Sequence, residues 1–321
     1  MTETLIKTEN LQVHFPIKKG LLSRTVGHVY AVDGVDLHLD RGETLGIVGE
    51  SGCGKTTAGM AVAGLTPATG GSIQFQGRDM RQLRKADWKQ IRREMQLIFQ
   101  DPYSSLNPRM TVNQILSDPM DVHGVYPGSQ RRERLAFLLE TVGLSPKQGS
   151  RYPHEFSGGQ RQRIGIARAL ALDPVVIIGD EPVSALDVSI QAQIINLLFE
   201  LKRTFDLSLM IISHDLAVVE YLCDRILVMY LGKVMENAPY ASLYGDPKHP
   251  YTQALLSAAP VSDPRRKKNR IILTGDVPSP INPPSGCRFH TRCPQCMDIC
   301  RVEEPAFVNF GEGREAACHL Y

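Results

Sequence analysis

A glycine-rich segment, Gly49-Glu-Ser-Gly-Cys-Gly-Lys55-Thr56, constrains the fold of this chain more than any other feature. It follows an apolar run at 45–48 and precedes a run at 57–65 that favours a helix. In the order strand, loop, helix, the glycines let the backbone curl so that its N–H groups and the helix N-terminus face an anion. We predict a phosphate-binding loop, in which Lys55 contacts the β- and γ-phosphates of a nucleotide and the Thr56 hydroxyl binds Mg²⁺. Its candidate nucleotide ligands are Gly49, Ser51, Gly52, Gly54, Lys55, Thr56 and Thr57.

A second apolar run, Val175-Val-Ile-Ile-Gly, ends in two carboxylates, Asp180 and Glu181. Runs of β-branched residues are typical of central parallel strands. We expect Asp180 to hold Mg²⁺ and Glu181 to polarise the attacking water as a general base. The alternative is an ordinary acidic pair at the start of a helix, where the dipole favours negative charge. A phosphate-binding loop in the same chain favours the catalytic interpretation.

A third segment, Phe156-Ser-Gly-Gly-Gln-Arg-Gln-Arg163, opens a predicted helix and gives the chain a second anion-receptive helix start. One nucleotide site does not need two such starts, so we expect this one to bind the γ-phosphate held by another subunit. The segment resembles the Ser-Gly-Gly-Gln signature of the ATP-binding subunits of ABC transporters. The resemblance gives this role to Ser157, Gly158, Gly159 and Gln160.

Four further positions match motifs of that family. Gln100, at the end of the apolar run from Met95, corresponds to the glutamine that senses Mg²⁺ and the attacking water. Asp187, in Ser184-Ala-Leu-Asp187, corresponds to the loop that crosses the dimer interface. His214, 34 positions after Asp180, corresponds to the switch histidine that contacts the γ-phosphate. The resemblance assigns adenine stacking to Phe15, with Tyr30 as the alternative.

The fold class implied is α/β: a P-loop ABC ATPase cassette with a mostly parallel central sheet, an antiparallel β subdomain and a helical signature subdomain. Strand and helix patterns alternate as a doubly wound sheet requires, with strands near 72–76, 175–180, 207–213 and 225–230. We expect the nucleotide-binding domain to span 1–260, with the helical subdomain at about 101–172. The strands between 5 and 40 are expected to be separated by a basic loop at 18–28.

Composition narrows the functional classes. The chain has 36 basic and 34 acidic residues among 321, so its net charge of +2 gives no electrostatic footprint for nucleic acid. No apolar run approaches the roughly 20 residues that a membrane-spanning helix needs, and the N-terminus lacks a signal-peptide pattern. We therefore expect a soluble cytosolic chain, so that other chains must form the pore if it serves transport.

The chain changes character after Pro260. A charged linker at 264–270 and a proline-rich stretch at 276–286 lead into a small C-terminal extension, 261–321, which is rich in cysteine. Five of the seven cysteines lie within 32 residues: Cys287, Cys293, Cys296, Cys300 and Cys318. Cytosolic thiols stay reduced, so a metal is favoured over disulfides, and soft thiolates suit zinc or an iron–sulfur cluster. Reduced thiols without a metal are the alternative.

Along nearly its whole length the chain is similar to ATPase subunits of bacterial dipeptide, oligopeptide and nickel importers. The distinguishing stretches are the segments at 100–109, 249–256 and 286–294. The resemblance implies a four-iron four-sulfur cluster on Cys287, Cys293, Cys300 and Cys318, which leaves Cys296 as an extra thiol. The alternative is zinc held by three cysteines and either His290 or His319.

The resemblance implies ATP hydrolysis that energises the import of dipeptides or oligopeptides, by a peripheral subunit on the cytoplasmic face of the inner membrane. Its implied partners are a related ATPase (or a second copy of this chain), two transmembrane permeases and an extracytoplasmic solute-binding protein. Nickel, glutathione or another small solute are alternative cargoes. A non-transport ABC ATPase is disfavoured, because only 101 residues separate Lys55 from Ser157 and leave no room for a long coiled coil.

Overall fold

The computed structural model describes residues 3–20, 23–101, 103–258 and 270–321. These form two compact units. The first unit comprises Met1–Asp40, Thr44–Arg81 and Ser213–Tyr321, and the second comprises Arg41–Glu43 and Gln82–Ile212. The expected domain boundary at 260/261 and the charged linker, apart from Arg270, lie outside the described residues. The predicted division of the chain therefore stays a prediction.

The strands are β1 (Thr4–Lys19), β2 (Arg24–Asp40), β3 (Thr44–Val48), β4 (Gly70–Phe75), β5 (Arg78–Asp79), β6 (Met95–Ile98), β7 (Val176–Asp180), β8 (Ser208–Ser213), β9 (Arg225–Tyr230), β10 (Lys233–Pro239), β11 (Phe307–Gly311) and β12 (Arg314–Ala317). The α-helices are α1 (Lys55–Val62), α2 (Lys85–Glu94), α3 (Val112–His123), α4 (Ser129–Thr141), α5 (Gly158–Ala169), α6 (Val188–Phe205), α7 (Leu216–Leu222), α8 (Tyr240–Gly245), α9 (Pro250–Ala258) and α10 (Ile299–Val302).

The first unit contains the predicted antiparallel sheet, in the order β2-β1-β4-β5. The basic loop predicted at 18–28 is wrong, because β1 continues to Lys19 and β2 starts at Arg24. Lys19 pairs with Arg24, and Ile17 pairs with Gly27. Basic side chains are compatible with a strand when they point to water, and the segment also contains the strand formers Thr25 and Val26.

The first unit also holds the strand that leads into the phosphate loop. Strand β3 is buried along its whole length and pairs in parallel with β9, with Leu45 opposite Arg225 and Val48 opposite Val228. Strand β9 continues antiparallel into β10, which pairs with the hairpin formed by β11 and β12. The C-terminal extension thus adds two strands beside β10, which the sequence analysis did not predict.

The second unit places three parallel strands side by side, β6, β7 and β8. Met95 lies opposite Val176, which in turn lies opposite Ser208. The helices α3, α4 and α5 fall within the range predicted to be helical. The parallel pairs in both units agree with the expected sheet.

Candidate nucleotide site

The phosphate loop joins β3 to α1, as predicted. Gly49 and Gly54 have positive φ values of 152° and 104°, which favour glycine. A Cβ at Gly49 would lie 2.1 Å from the Met229 carbonyl oxygen, and one at Gly54 would lie 2.0 Å from that of Ala31. The loop is therefore pressed against neighbouring backbone, and its curl requires glycine at both positions.

Lys55 is the first residue of α1 and only 5% exposed. Its ammonium donates to the carbonyl oxygens of Gly49, at 2.7 Å, and Glu50, at 3.0 Å. The positive charge thus lies inside the curl of the loop. Gly54 precedes the helix and offers no side chain to cap its first N–H groups. A loop with a central cation and an uncapped helix start is suited to bind phosphate.

In the second unit, the structure brings together two of the predicted catalytic residues. The Gln100 side-chain amide donates to a carboxylate oxygen of Glu181 at 2.7 Å. Gln100 lies two residues beyond the end of β6 rather than within the strand. Glu181 follows β7 in the left-handed region, with φ of 45°, and its N–H donates to the Ile212 carbonyl at 2.9 Å. Such strained backbone is held in place by its surroundings and is common at functional sites.

Asp180 ends β7 and is 4% exposed, so the predicted Mg²⁺ ligand is the buried member of the acidic pair. His214 is exposed and follows β8, in the first unit. Its neighbour Asp215 caps α7 by accepting from the Ala217 N–H at 2.8 Å. The phosphate loop belongs to the first unit, whereas Gln100, Asp180 and Glu181 belong to the second.

The signature segment starts α5 with a reciprocal cap. The Ser157 hydroxyl accepts from the Gln160 N–H at 3.3 Å, and the Gln160 side chain accepts from the Ser157 N–H at 3.1 Å. Gly159 has a packing role that the sequence analysis missed, because a Cβ there would lie 2.5 Å from a methyl group of Ile190. Asp187 is exposed and precedes α6.

The two aromatic candidates for adenine stacking differ in their surroundings. Phe15, on β1, is 43% exposed and lies opposite Val29. Tyr30, on β2, packs edge-on against the His14 ring at 4.7 Å, and its N–H donates to the Pro280 carbonyl. The exposed ring of Phe15 has a free area on which a base could stack, so Phe15 stays the prediction.

Two residues near the C-terminal end of the chain contact the phosphate loop, and the sequence analysis did not assign them. Arg292 pairs with the carboxylate of Glu50 in the phosphate loop at 2.7 Å. The Glu50 N–H donates to the Tyr251 hydroxyl at 2.9 Å. Tyr251 and Arg292 lie in the stretches 249–256 and 286–294, which resemble the importer ATPases. That resemblance is the sequence signal by which they could have been found. Their contact with the loop follows only from the tertiary structure.

The cysteines of the extension are free thiols, and Cys287, Cys300 and Cys318 are buried. Burial, with smaller electrostatic contributions from Cys300, Cys318 and Cys293, raises the pKa of the Cys287 thiol to about 11. Burial also raises the pKa of Cys293 and of Cys318. In the described parts of the chain, no three His, Cys, Asp or Glu side chains are grouped as ligands of a single metal ion. The side chains of His290 and His319 bond the carbonyls of Cys287 and Glu303.

Within the described ranges, no helix combines the length and apolar character that a bilayer crossing requires.

Two protein-family models match the chain. The model described as "ABC transporter" matches residues 32–184, and "Oligopeptide/dipeptide transporter, C-terminal region" matches residues 235–300. The chain is 53% identical to the oligopeptide transport ATP-binding protein AppF of Bacillus subtilis strain 168, over 99% of this chain and 98% of that protein. It is 51% identical to the probable peptide ABC transporter ATP-binding protein y4tS of Sinorhizobium fredii, over 100% of this chain and 91% of that protein.

Among solved structures, the chain is similar to the ATP-binding cassette MJ0796 in a dimeric, post-hydrolysis state with ADP and Pi. The TM-score is 0.65 at 28% identity, over 74% of this chain and 99% of that one. The fold and the phosphate loop, taken with these matches, define an ATP-hydrolysing ABC cassette. The chain belongs to the family of oligopeptide and dipeptide transport ATP-binding proteins.

Proposed function

We propose that this chain energises the import of dipeptides or oligopeptides, as one ATPase subunit of an ABC importer on the cytoplasmic face of the cell membrane. The observation that carries the proposal is that similarity to peptide-transport ATP-binding proteins covers 99% of the chain and includes the region at 235–300. The proposed partners are a related ATPase, two membrane permeases and an extracytoplasmic binding protein. The segment Tyr103–Pro108, in which Tyr103 is 59% exposed, is the proposed contact with the permeases.

Hydrolysis is proposed to depend on the site residues predicted from the sequence. Lys55 and the N–H groups of the phosphate loop bind the β- and γ-phosphates. Glu181 accepts a proton from the attacking water, and Gln100, bonded to that carboxylate at 2.7 Å, orients the same water. His214 contacts the γ-phosphate, and Phe15 stacks on adenine. Most of the rate enhancement comes from positioning and charge neutralisation.

Mg²⁺ is the proposed metal of the reaction. Thr56, Gln100 and Asp180 supply hydroxyl, amide and carboxylate oxygens, the hard ligands that Mg²⁺ prefers. When bound, the ion neutralises charge on the phosphate oxygens. Asp180 is the last residue of β7 and is 4% exposed, so an ion bound to it would lie at the end of that strand.

A second ATPase subunit is proposed to complete each nucleotide site. Its segment equivalent to Ser157–Gln160 closes over the γ-phosphate, and Asp187 lies near the subunit interface. The reciprocal cap of Ser157 and Gln160 supports this proposal, because it fixes the start of α5 and the direction of its first N–H groups. Two ATP molecules would then hold the dimer closed until hydrolysis releases it.

The four thiols of the extension are proposed to hold a four-iron four-sulfur cluster. Cys287 interacts electrostatically with Cys293, Cys300 and Cys318, the set that the family resemblance names. A four-iron four-sulfur cluster binds each cysteine thiolate to a different iron atom. The four cysteine sulfur atoms therefore need not converge on a single point. Zinc requires such convergence and is the alternative. The proposed role is structural, because residues 270–298 form neither helix nor strand and small segments often need a metal to fold.

Uptake into membrane vesicles tests the proposal. The vesicles contain the two partner permeases and the binding protein. We expect ATP-dependent uptake of a labelled dipeptide when this chain is present and none when it is absent. Uptake of nickel without peptide would contradict the peptide cargo. Equal peptide uptake without this chain would contradict its role as an energising subunit.

A further inference from the structure

The segment between Cys287 and Cys293 is anchored in the core of the first unit. Phe289, at its centre, is fully buried. Its ring packs against Tyr230 at 5.3 Å and Tyr251 at 5.2 Å, measured between ring centroids. The two tyrosine rings also contact each other at 4.8 Å. This part of the extension is therefore packed into an aromatic cluster of the first unit.

Arg292 extends from this anchored segment to the phosphate loop. Its guanidinium lies 2.7 Å from the Glu50 carboxylate and 3.5 Å from the Tyr230 hydroxyl. The Arg292 side chain is only 9% exposed. An ion pair in such a position is poorly screened by water, so it holds its two partners more firmly than a surface pair does.

Glu50 is held at three of its groups. Its N–H donates to the Tyr251 hydroxyl, its carboxylate pairs with Arg292, and its carbonyl accepts from Lys55. Two of these partners lie about two hundred positions further along the chain, in α9 and in the extension. The peptide that follows Gly49 is therefore oriented by residues outside the loop.

We infer that Arg292 is a positioning residue of the nucleotide site. By holding Glu50 it keeps the loop curled so that the N–H groups and Lys55 face the phosphates. The C-terminal extension is thus part of the machinery that binds ATP. This inference rests on the proposed role of the phosphate loop, and it does not require a metal to be present on the cysteines.

A double-mutant cycle tests the inference in the full-length chain. ATP affinity is measured by titration in a Glu181→Gln background, which suppresses hydrolysis. We expect Arg292→Ala to weaken ATP binding about tenfold, equivalent to about 1.4 kcal/mol. In a Glu50→Ala background, Arg292→Ala should weaken ATP affinity less than about threefold, because the ion-pair partner of Arg292 is already absent. The thermal midpoint without nucleotide is recorded for every variant to separate positioning from stability.

Two controls make the outcome decisive. Arg314→Ala removes another partly buried arginine of the extension, whose partner is Asp246 rather than the loop, and should leave ATP affinity unchanged. Lys55→Ala should abolish ATP binding. If Lys55→Ala reduces affinity but Arg292→Ala does not, the inference is wrong. An equal loss from Arg292→Ala with and without Glu50 would also overturn it. Unchanged affinity in Lys55→Ala would instead refute the phosphate-loop assignment.

If Arg292→Ala fails to fold, Arg292→Lys provides the test. Lysine keeps the charge but replaces the planar guanidinium, whose Nη1 contacts both Glu50 and Tyr230, by a compact ammonium on a different stem. We expect an intermediate loss of ATP affinity that again depends on Glu50. Wild-type affinity in this variant, together with an equal midpoint, would contradict a positioning role for the guanidinium.

Discussion

His249 should make the stability of the protein depend on pH. It is buried and precedes α9, where its Nδ1 accepts from the Tyr251 N–H at 3.0 Å. Pro250, which has no N–H, occupies the first helical position. The imidazole thus caps the helix that carries Tyr251 and must be neutral to do so. Protonation would replace the acceptor by a donor that faces another donor. Burial lowers the pKa of His249 to about 3.

The size of the effect follows from linkage. The unfolded pKa is about 6.5, so the contribution of the neutral imidazole is complete above that pH and is lost as the pH falls towards the folded value. Between the folded and the unfolded pKa, each pH unit of acidification lowers the free energy of unfolding by about 1.4 kcal/mol. Between about pH 7.5 and pH 5.0, the free energy of unfolding should therefore fall by about 2 kcal/mol on account of His249 alone.

The assay compares wild type with His249→Asn by urea unfolding, followed by circular dichroism, at both pH values. Asparagine keeps an acceptor for the Tyr251 N–H and is a favoured helix cap, but it does not titrate. Between the two pH values, we expect the free energy of unfolding to fall by about 2 kcal/mol more in wild type than in the variant. Replacing the exposed His28 by Asn is the matched control and should preserve the wild-type response. An identical pH dependence in wild type and His249→Asn would refute the reasoning.

Three further predictions concern the signature helix, Gln100 and the cysteines of the extension. Gly159→Ala should destabilise the packing of α5 on α6 by about 1–3 kcal/mol in thermal unfolding, because a Cβ there would lie 2.5 Å from Ile190. Adding Ile190→Ala to this variant should restore stability. A double variant that stays as unstable as Gly159→Ala would contradict the packing role. Gln100→Ala should reduce ATP turnover about tenfold with ATP affinity kept, since water loses its orienting group; wild-type turnover would disprove this. In anaerobically purified protein, Cys293→Ser should remove the visible absorption of an iron–sulfur cluster, whereas Cys296→Ser should keep it; absence of both iron and zinc in the wild type would end the metal proposal.

Much of the fold could be predicted from local patterns. The strand predicted at 225–230 is β9, residue for residue. A continuous apolar run that is bounded by charged and glycine residues leaves little choice of where the strand begins and ends. The helix after the phosphate loop begins two residues earlier than the apolar pattern indicated, at Lys55, since glycine can precede a helix without a cap. The basic stretch at 18–28 was misjudged, because pairing with a long neighbouring strand outweighs local charge.

The hairpin of β11 and β12 was missed although its signals are present. Val308 and Phe310 alternate with polar residues, and Gly311 and Gly313 supply the turn, both with positive φ. The contact between Arg292 and Glu50 could not be predicted, because it joins residues 242 positions apart. No periodicity or spacing in the sequence reports a contact over that distance.

ATP turnover in the assembled transporter tests whether this chain couples peptide to hydrolysis through Glu181. The permeases, the partner ATPase and a peptide-loaded binding protein are combined with either the wild-type chain or Glu181→Gln. We predict that peptide raises ATP hydrolysis with the wild-type chain, and that Glu181→Gln still binds ATP but loses the stimulated turnover. Peptide-stimulated hydrolysis by Glu181→Gln within a factor of a few of wild type would show that Glu181 is not the catalytic base.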